Sequence, residues 1–392
     1  MQRKPLIAVQ IEKNRAHGRA MLEGIANYVL ELTEWRLVQV EPQSLTDAKY
    51  LSGFDGFIVR VMDERTADAL LESGKPAIDT YGRIDRNPLP SIRLDDSAIA
   101  EMAASCFHEH RFVNCAYCGF QSLRFSDARG ETFTKAMCGF GATVTVYDDG
   151  GKSRLKDTFF RNEQAERIAD HARLRSWVKS LPKPVAIFCC NDLRAYHVLK
   201  VCEEAGITVP NDVAVLGVDN DTLLCTFTNP PLSSIDTDSF NLGREAAEML
   251  ASEMINGHRG QRTPRTELHP PRRTVERLST EIHTFHTPYL SDAVVFIRRH
   301  FCDGISASDV VKHIGFSHTA INRAFNAELG TSVQQEIIRI RLERACQLLK
   351  ETDLTAAEIA KQCGYPSAQY FSHFFSCTYK VTPDNWRRQF SR

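Results

Sequence analysis

The segment VAIFCCNDLRAYHVLKVCEEAGITVPNDVAVLGV, residues 185–218, contains the pattern that decides the fold. It begins with an apolar run, continues with an amphipathic stretch that ends at Gly206, and closes with a second apolar run at 213–218. Short continuous apolar runs are typical of strands buried on both faces, and a glycine after a helical pattern ends a helix. We therefore predict a strand–helix–strand unit with parallel strands.

The same alternation extends over the first part of the chain, from Leu6 to about Thr280. The other apolar runs predicted as strands are 6–11, 36–40, 56–61, 114–119 and 143–147. Repeated strand–helix units predict parallel sheets with helices on both faces. A segment this long is large for one such sheet, so we predict an α/β domain of two lobes with a cleft between them.

The composition changes near residue 280. Residues 257–287 are rich in Pro, Arg, Thr and His, and within them RRTVER is predicted as a last strand of the α/β domain. From Pro288 onward the pattern is helical, with 13 Lys and Arg against 10 Asp and Glu. We predict a two-lobed domain at 1–280, a linker at 281–287 and an all-α domain at 288–392.

The helical domain contains a helix that stops and starts again, in EIAKQCGYPSAQYFSHFF (358–375). Thr355 and Glu358 fit a capping box, Gly364 suits the end of that helix, and Ser367 can cap the next one. Apolar positions of the second helix are assigned to Tyr370, Phe371, Phe374 and Phe375. A helix, a tight glycine turn and a second helix are typical of the helix-turn-helix motif.

The pattern occurs a second time about fifty residues earlier. Ser308 is predicted to cap the first helix, Gly315 to end it, and Ser317 to cap the next helix. A long amphipathic helix at 332–352 separates the two copies. Two motifs on one connecting helix could place recognition helices in successive major grooves, roughly 34 Å apart.

This region resembles the DNA-binding domain of the AraC family over most of 290–390. The resemblance rests on IRLERACQLL and on LTAAEIAKQCGYPSAQYFSHFFSCTYKVTPDNWRR. The family usually has glycine where Lys380 stands and a basic pair where Ser376 and Cys377 stand. We expect the first departure to alter the final turn and the second to weaken phosphate contacts.

The resemblance implies that the outward positions of the two recognition helices contact DNA. These positions are His318, Thr319, Asn322, Arg323, Ala368, Gln369, Ser372 and His373. Asn, Gln and Arg are the side chains that make bidentate contacts with adenine or guanine edges. The alternative for each residue is a solvent-facing position or a phosphate contact that reads no sequence.

The first domain resembles the LacI/GalR regulators and the periplasmic sugar-binding proteins over about 5–280. The matching features are Asn191-Asp192 after a strand, Val209-Pro210, Gly217-Val218-Asp219, Pro230-Pro231-Leu232, and Arg277 with Ser279-Thr280. The resemblance implies a sugar site in the cleft. Such regulators carry DNA-binding helices before this domain, whereas here the first strand begins at Leu6, and we expect the AraC-type module to replace them.

Polar residues that follow predicted strands are the candidate sugar ligands. Ligands of parallel sheets bind beyond the carboxyl ends of the strands, and Asp, Asn and Arg supply paired donors and acceptors for hydroxyl groups. The residues in such positions include Asp96, Asn191, Asp219, Glu12 and Asn14. Carried over by position, the resemblance implies as sugar ligands Asp96, Arg129, Asn191 and Asp219, followed by Glu12, Asn14 and Arg194. The alternative role is helix capping, which we favour for Asp95 and Asp192.

Several other kinds of chemistry are not supported by sequence patterns. Cys115-x-x-Cys118 lies in a predicted strand, where residues three apart face opposite sides, and no second ligand pair has suitable spacing. We therefore predict no metal site, no cofactor and no catalytic residues. The N-terminus has too short an apolar run for a signal peptide, which leads us to expect a cytoplasmic protein, nucleoid-associated when bound to DNA, with no membrane contact.

A sensor followed by an AraC-type module is the layout of bacterial regulators of xylose catabolic genes. The resemblance implies a sugar-responsive regulator, an activator, with D-xylose or a similar monosaccharide as effector. The expected partners are double-stranded promoter DNA, RNA polymerase and a second copy of the chain in a homodimer. The alternative is a regulator of the same architecture that senses another monosaccharide or a sugar phosphate, or that acts as a repressor. A transport receptor and an enzyme are less favoured.

Overall fold

The computed structural model describes residues 3–84, 88–121, 123–148, 163–256, 265–281, 287–352 and 354–390. The chain divides into two compact units, Met1–Ile282 and His283–Arg392, which are described separately. Most of the predicted linker 281–287 lies outside the described residues. Within the described ranges, the helices are all too short or too polar to span a membrane.

The first unit contains two six-stranded sheets, one in each of two lobes. The strands of the first lobe are β1 (Leu6–Gln10), β2 (Arg36–Gln39), β3 (Gly56–Val59), β4 (Ala77–Asp79), β5 (Ser91–Leu94) and β11 (Thr266–His269). The strands of the second lobe are β6 (Asn114–Cys118), β7 (Thr143–Val146), β8 (Val185–Cys189), β9 (Val213–Val218), β10 (Ser233–Asp236) and β12 (Arg273–Val275).

The two sheets have corresponding strand orders. The first sheet runs β11-β5-β4-β3-β1-β2 and is parallel throughout. The second runs β12-β10-β9-β8-β6-β7 and is parallel except for β12, which pairs antiparallel with β10. The predicted architecture of two parallel α/β lobes is confirmed, with one antiparallel edge strand added.

Helices cover both faces of each sheet. They are α1 (Ala16–Leu32), α2 (Ala48–Leu51), α3 (Glu64–Glu72), α4 (Asp96–Glu109), α5 (Arg124–Gly139), α6 (Glu163–Ser180), α7 (Asp192–Ala205), α8 (Thr222–Phe227) and α9 (Ser239–Asn256). Successive residues of a strand face opposite sides of the sheet, and Cys115 and Cys118 of β6, three residues apart, lie in separate cores. This confirms that these two cysteines face opposite sides of the sheet. Burial of one large apolar side chain in these cores adds about 1.5–3 kcal/mol to stability.

The chain passes between the lobes three times. It leaves the first lobe after β5, returns between β10 and α9, and leaves again between β11 and β12. In the first lobe α1 and α9 pack so closely that a Cβ atom on Gly24 would come within 1.9 Å of the Phe240 carbonyl oxygen. Glycine is required there because only its hydrogen fits between the two backbones.

Some strand predictions differ from the structure. The predicted strand 56–61 ends at Val59, so Arg60 lies beyond the strand end instead of within it. Three strands are short, namely β4, β10 and β11. The sequence of β10 is SSID and that of β11 is TELH, and both lack the apolar run that indicates a buried strand. These strands are recognised only from their pairing with longer neighbours.

The second unit is helical. Its helices are α10 (Pro288–His300), α11 (Ala307–Ile314), α12 (His318–Leu329), α13 (Val333–Glu351), α14 (Ala356–Gln362), α15 (Ala368–Tyr379) and α16 (Pro383–Phe390). It has two apolar cores. Ile321 and Phe325 lie in the first, around α10 to α12, and Phe371 and Phe375 lie in the second, around α14 to α16. Both cores include residues of α13, which therefore forms a shared support.

Candidate functional site

A cavity lies between the two lobes of the first unit, beyond the carboxyl ends of the central strands. It contains about 700 Å³ of empty space, including its opening to solvent. The lining residues are Glu12, Arg15, His17, Arg60, Thr80, Tyr81, Arg93, Leu94, Asp96, Phe125, Arg129, Asn191, Asp219 and Leu242. They come from both lobes, so a bound molecule would contact both lobes at once.

A buried charge cluster forms around Asp96, the first residue of α4. Nε of Arg129 donates to Asp96 Oδ1 at 2.9 Å, and a second Arg129 nitrogen donates to the carbonyl oxygen of Cys190 at 2.6 Å. An Arg93 nitrogen lies 3.7 Å from the other Asp96 oxygen. Burial lowers the pKa of Arg129, but the Asp96 and Asp219 carboxylates raise it, and the net shift is upward. Arg129 is therefore a fixed cation that directs its donors along the cavity wall.

A second ion pair forms the wall in the first lobe. An Arg60 nitrogen lies 2.7 Å from Glu12 Oε2, and both side chains are buried. The guanidinium of Arg60 also lies 5.2 Å from the ring centroid of Tyr81, within range of a cation–π contact. The position of Glu12 depends on Gly18, where a Cβ atom would come within 2.0 Å of the Glu12 carbonyl oxygen.

Asp219 follows β9 in an unusual backbone conformation, with φ of 103°. Such angles cost energy for residues other than glycine, and they are found at binding sites where the surrounding structure fixes them. Burial raises the pKa of Asp219 from its ordinary 3.8 to about 6, although Arg129, Arg15 and Arg60 act in the opposite direction. The carboxylate is thus close to titrating at neutral pH and would gain from hydroxyl donors of a ligand.

Asn191 and Asp192 are adjacent at the start of α7 but have different contacts. Asn191 is the N-cap of α7, and its Oδ1 accepts from the Arg194 N–H at 2.9 Å, while the residue also lines the cavity. Asp192 was expected to cap a helix, but it lies inside α7. Its two oxygens accept from the Ser234 hydroxyl and the Asp221 N–H. Asp192 therefore holds β10 and the start of α8, whereas Asp95 caps α4 as expected.

Two predicted ligands do not line the cavity. Asn14 is exposed in the loop before α1. Arg194 is buried, and its guanidinium lies 4.8 Å from the ring centroid of Phe120 and 4.9 Å from that of Tyr147. Arg194 thus fills a space between aromatic rings in the second lobe. Five of the candidates, Glu12, Asp96, Arg129, Asn191 and Asp219, lie together in the lining.

The sequence analysis missed several lining residues. Arg60 and Tyr81 follow β3 and β4, and the strand-end rule would have identified them if those strands had been delimited correctly. His17 carries no comparable signal. Its Nδ1 lies 2.7 Å from the Ser239 hydroxyl of α9. Burial, together with Arg60 and Arg129, lowers its pKa well below the ordinary value, so the ring is neutral.

The second unit contains two helix-turn-helix pairs with matching caps. The first pair, α11 and α12, has a capping box at Ser306 and Asp309, a left-handed Gly315 and an N-cap at Ser317. Ser306, not Ser308, is the cap of α11, because the helix begins two residues earlier than predicted.

The second pair, α14 and α15, repeats these features. It has a capping box at Thr355 and Glu358, a left-handed Gly364 and an N-cap at Ser367. Gly364 also packs against the first half, because a Cβ atom there would lie 2.4 Å from the Phe301 carbonyl oxygen. Tyr370 is 46% exposed and was wrongly assigned to the apolar side.

The departure at Lys380 does not alter the final turn. Lys380 has φ of 62°, close to the 65° of Gly330 at the corresponding end of α12. Its ammonium donates to the Cys377 carbonyl oxygen at 2.9 Å, which satisfies one carbonyl at the helix end. The left-handed conformation is kept without glycine and costs about 1–2 kcal/mol.

The predicted DNA-contacting residues lie on α12 and α15. His318, Thr319, Arg323, Gln369 and His373 are exposed, whereas Asn322, Ala368 and Ser372 are half-buried. Asn322 has a structural contact, since its Oδ1 accepts from the Val333 N–H at the start of α13 at 3.2 Å. That bond satisfies one of the free N–H groups of α13 and reduces the capacity of Asn322 to contact a base.

Arg341 of α13 joins the two halves of this unit. Its Nε donates to the Phe301 carbonyl oxygen at 2.8 Å, and a second nitrogen donates to that of Ile305 at 3.0 Å. Its guanidinium lies 5.7 Å from the ring centroid of Tyr365, which follows the second glycine turn. A single buried side chain therefore connects the segment before α11 with the turn before α15.

Two domain families match the chain. A periplasmic binding protein-like domain covers residues 104–280, and a helix-turn-helix domain covers residues 310–389. The xylose operon regulatory protein of Haemophilus influenzae is 29% identical over 390 residues, which are 97% of each chain. The protein of the same name from Escherichia coli is 28% identical over 392 residues, 97% of this chain and 96% of the relative.

Solved structures give the same relationship. The structure of a xylose-binding transcription activator matches 100% of both chains at 26% identity, with a TM-score of 0.76. The fold of the first unit also matches a transcriptional regulator bound to cellobiose at 20% identity and a TM-score of 0.56, over 71% of this chain.

The fold, the paired helix-turn-helix motifs and the matches define a transcription regulator with a periplasmic-binding-protein-like domain and an AraC-type helix-turn-helix domain. Along its whole length the chain is similar to the xylose operon regulatory proteins of these two bacteria and to the solved xylose-binding transcription activator.

Proposed function

We propose that this protein activates transcription of pentose catabolic genes when D-xylose, or a monosaccharide of the same size, occupies the cavity. The observation that carries the proposal is the cavity lined by paired charged groups of both lobes. The full-length similarity to xylose operon regulatory proteins supports this choice of effector.

The pairing of charges in the cavity favours a neutral polyol over a sugar phosphate. Arg129 and Arg93 both face Asp96, and Arg60 faces Glu12. A phosphate requires guanidinium groups that are not already neutralised, whereas a sugar hydroxyl needs alternating donors and acceptors. We assign Asp219, Asp96 and Glu12 as acceptors, and Arg129 and the Asn191 amide as donors.

The sugar would act by favouring one arrangement of the two lobes. A ligand shifts an equilibrium only through its different affinity for the two states. Because the cavity residues come from both lobes, the sugar gains all its contacts only when the lobes are close together. We propose that this arrangement promotes productive binding of the helix-turn-helix pairs to two DNA half-sites, in a homodimer that recruits RNA polymerase. The protein would act in the cytoplasm, bound to the nucleoid, without a catalytic role.

Sugar binding is tested by a thermal-shift screen of the full chain with D-xylose, L-arabinose, D-ribose, D-glucose and a pentose phosphate. A ligand that binds only the native state raises the melting temperature, by an amount equivalent to about 2.7 kcal/mol at a hundred times its Kd. We expect the largest shift with D-xylose. A larger shift with the pentose phosphate would replace the neutral-sugar assignment.

The DNA-binding role is tested by fluorescence anisotropy with promoter DNA, with and without the sugar. We expect Gln369→Ala to weaken specific binding by about 1–3 kcal/mol, the range for a bidentate base contact. Gln334→Ala is the matched control, because Gln334 is an exposed glutamine of α13, outside both recognition helices. A DNA affinity that is unchanged by every sugar in the panel would contradict the proposed regulation.

A further inference from the structure

Three metal-ligating side chains meet at the far end of α4, outside the sugar cavity. Cys106 and His110 lie four residues apart on one side of the helix end, and Glu276 follows β12 directly. One ligand atom from each of the three side chains lies within 4.8 Å of the others. Zn²⁺ binds sulfur at about 2.3 Å and nitrogen or oxygen at about 2.0–2.2 Å, so atoms this close can share one ion after small side-chain movements.

The hydrogen bonding of His110 prepares it for a metal. Its Nδ1 lies 2.7 Å from the Cys106 carbonyl oxygen. A carbonyl oxygen only accepts, so Nδ1 carries the ring proton and Nε2 of the neutral ring keeps its lone pair. Metal-binding histidines commonly donate their second nitrogen to a backbone carbonyl in this way, which fixes the ring and its tautomer.

The charges around the cysteine favour a cation. Glu276 and Glu109 both place their carboxylates close enough to influence Cys106. Cys106 is buried, His110 is half-buried and Glu276 is exposed. The three ligands therefore form a site that is closed on the protein side and open to solvent on the other side.

We propose that Cys106, His110 and Glu276 bind one divalent ion of the zinc class, with a water molecule in the fourth position. Sulfur, nitrogen and oxygen donors in a three-residue set match zinc sites that retain an open coordination position. The sequence carries no spacing signal for this set, because Glu276 lies far along the chain from the other two residues.

The ion would connect the end of α4, whose first residue lines the cavity, with the segment that follows β12. α4 begins at Asp96 in the cavity wall and ends at the metal ligands, and β12 follows the last passage between the lobes. Metal binding would fix the end of α4 to the segment after β12. Because the ion binds only the folded lobe, it raises the stability of that lobe.

The test is a titration of the full-length, reduced protein with Co²⁺, a spectroscopic substitute for Zn²⁺. We expect one equivalent to bind with a thiolate-to-cobalt charge-transfer band. Cys106→Ser should abolish the band. Glu276→Gln should weaken binding at least about tenfold, and as an exposed substitution it leaves the fold intact.

The chain provides a matched control. His373 and Cys377 have the same four-residue spacing on the exposed side of α15, and Cys377 Sγ lies 3.7 Å from His373 Nε2. Cys377→Ser should leave both the band and the affinity unchanged. Loss of the band in Cys377→Ser, or wild-type affinity in Glu276→Gln, would overturn the proposal, and so would failure of the wild-type protein to bind Co²⁺. At equal concentration, Zn²⁺ should raise the melting temperature of the wild-type protein more than that of Glu276→Gln.

Discussion

The cavity of the first unit and the outer faces of α12 and α15 both present polar side chains to a ligand, but in opposite environments. In the cavity the ion-paired groups are buried, and burial raises the pKa of the neighbouring Asp219 carboxyl. On the helix faces His318, Arg323 and Gln369 are exposed. A change in the cavity should therefore alter stability as well as ligand affinity, whereas a change on the helix faces should alter DNA affinity alone.

The same substitution in both regions gives the largest expected difference. Arg129→Met leaves Asp96 buried without its closest partner, and breaking a buried ion pair costs about 3–5 kcal/mol. Arg323→Met removes an exposed charge, and we expect a change in stability within about 0.5 kcal/mol. Thermal unfolding measures both effects. The first variant should also lose sugar binding and the second should lose DNA affinity, so equal melting temperatures would contradict the distinction.

Arg341 is the exception within the helical unit, because it is a buried arginine that two carbonyl oxygens hold. We expect Arg341→Met to cost about 3 kcal/mol, since each of the two hydrogen bonds from its charged group contributes at least about 1.5 kcal/mol. DNA with two half-sites should lose more affinity than DNA with one. Arg344→Met, an exposed position on the same helix, is the control. Equal losses for both DNA lengths would show that Arg341 does not set the spacing of the two motifs.

Asp219 should make the stability and the sugar affinity of the first unit depend on pH in a way that the helix faces do not. Its pKa of about 6 in the folded chain exceeds the ordinary 3.8, so the charged form destabilises the unliganded protein as pH rises above 4. Asp219→Asn should raise stability at pH 7.5 by about 1–2 kcal/mol, after allowance for partial solvation, and the gain should disappear below about pH 4. Sugar affinity of the wild-type protein should rise with pH through 6, since hydroxyl donors favour the carboxylate.

The exposed carboxylate of Asp309 should behave in the opposite way. Hydrogen bonds from the Ser306 hydroxyl and N–H lower its pKa. Its stabilising effect is therefore present at neutral pH and is lost as pH falls through its folded pKa. Asp309→Ala should lower the melting temperature at pH 7 and have no effect in strong acid. Parallel pH profiles for the Asp219 and Asp309 variants would contradict the two assigned environments.

The smallest effect is expected at the ends of the two recognition helices. Lys380→Gly should raise stability by about 1 kcal/mol, because glycine adopts the left-handed conformation without a steric penalty. Gly330→Lys should lower stability by a similar amount. Chemical denaturation of both variants measures these values. A loss of stability in Lys380→Gly would show that the bond from its ammonium to Cys377 outweighs the strain.

The sequence predicts the architecture better than the cavity. The architecture is predictable because its signals are local. Apolar runs such as VAVLGV, and the glycines and serines that end and begin the helices of the helix-turn-helix pairs, act on residues adjacent in the sequence. The strand-end rule brings Asp96, Asn191 and Asp219 together because parallel strands end at one edge. The family resemblance adds Arg129, which lines the cavity, and Arg194, which does not, because its direction is decided by packing against Phe120 and Tyr147. The strand-end rule fails for His17, which reaches the cavity through the packing of α1 on α9.

The three passages between the lobes have a consequence for the order of folding during synthesis. The first lobe needs β11 and α9, which are made after most of the second lobe, and the second lobe needs β12, which is made last. The first sheet cannot be completed until the ribosome has passed residue 269, and the second until it has passed residue 275. The helical unit is built from one continuous segment with mostly local contacts, which favours rapid folding. A nascent chain would therefore complete its sensor late and its DNA-binding unit soon afterwards, so a DNA-binding unit without a sensor should rarely accumulate.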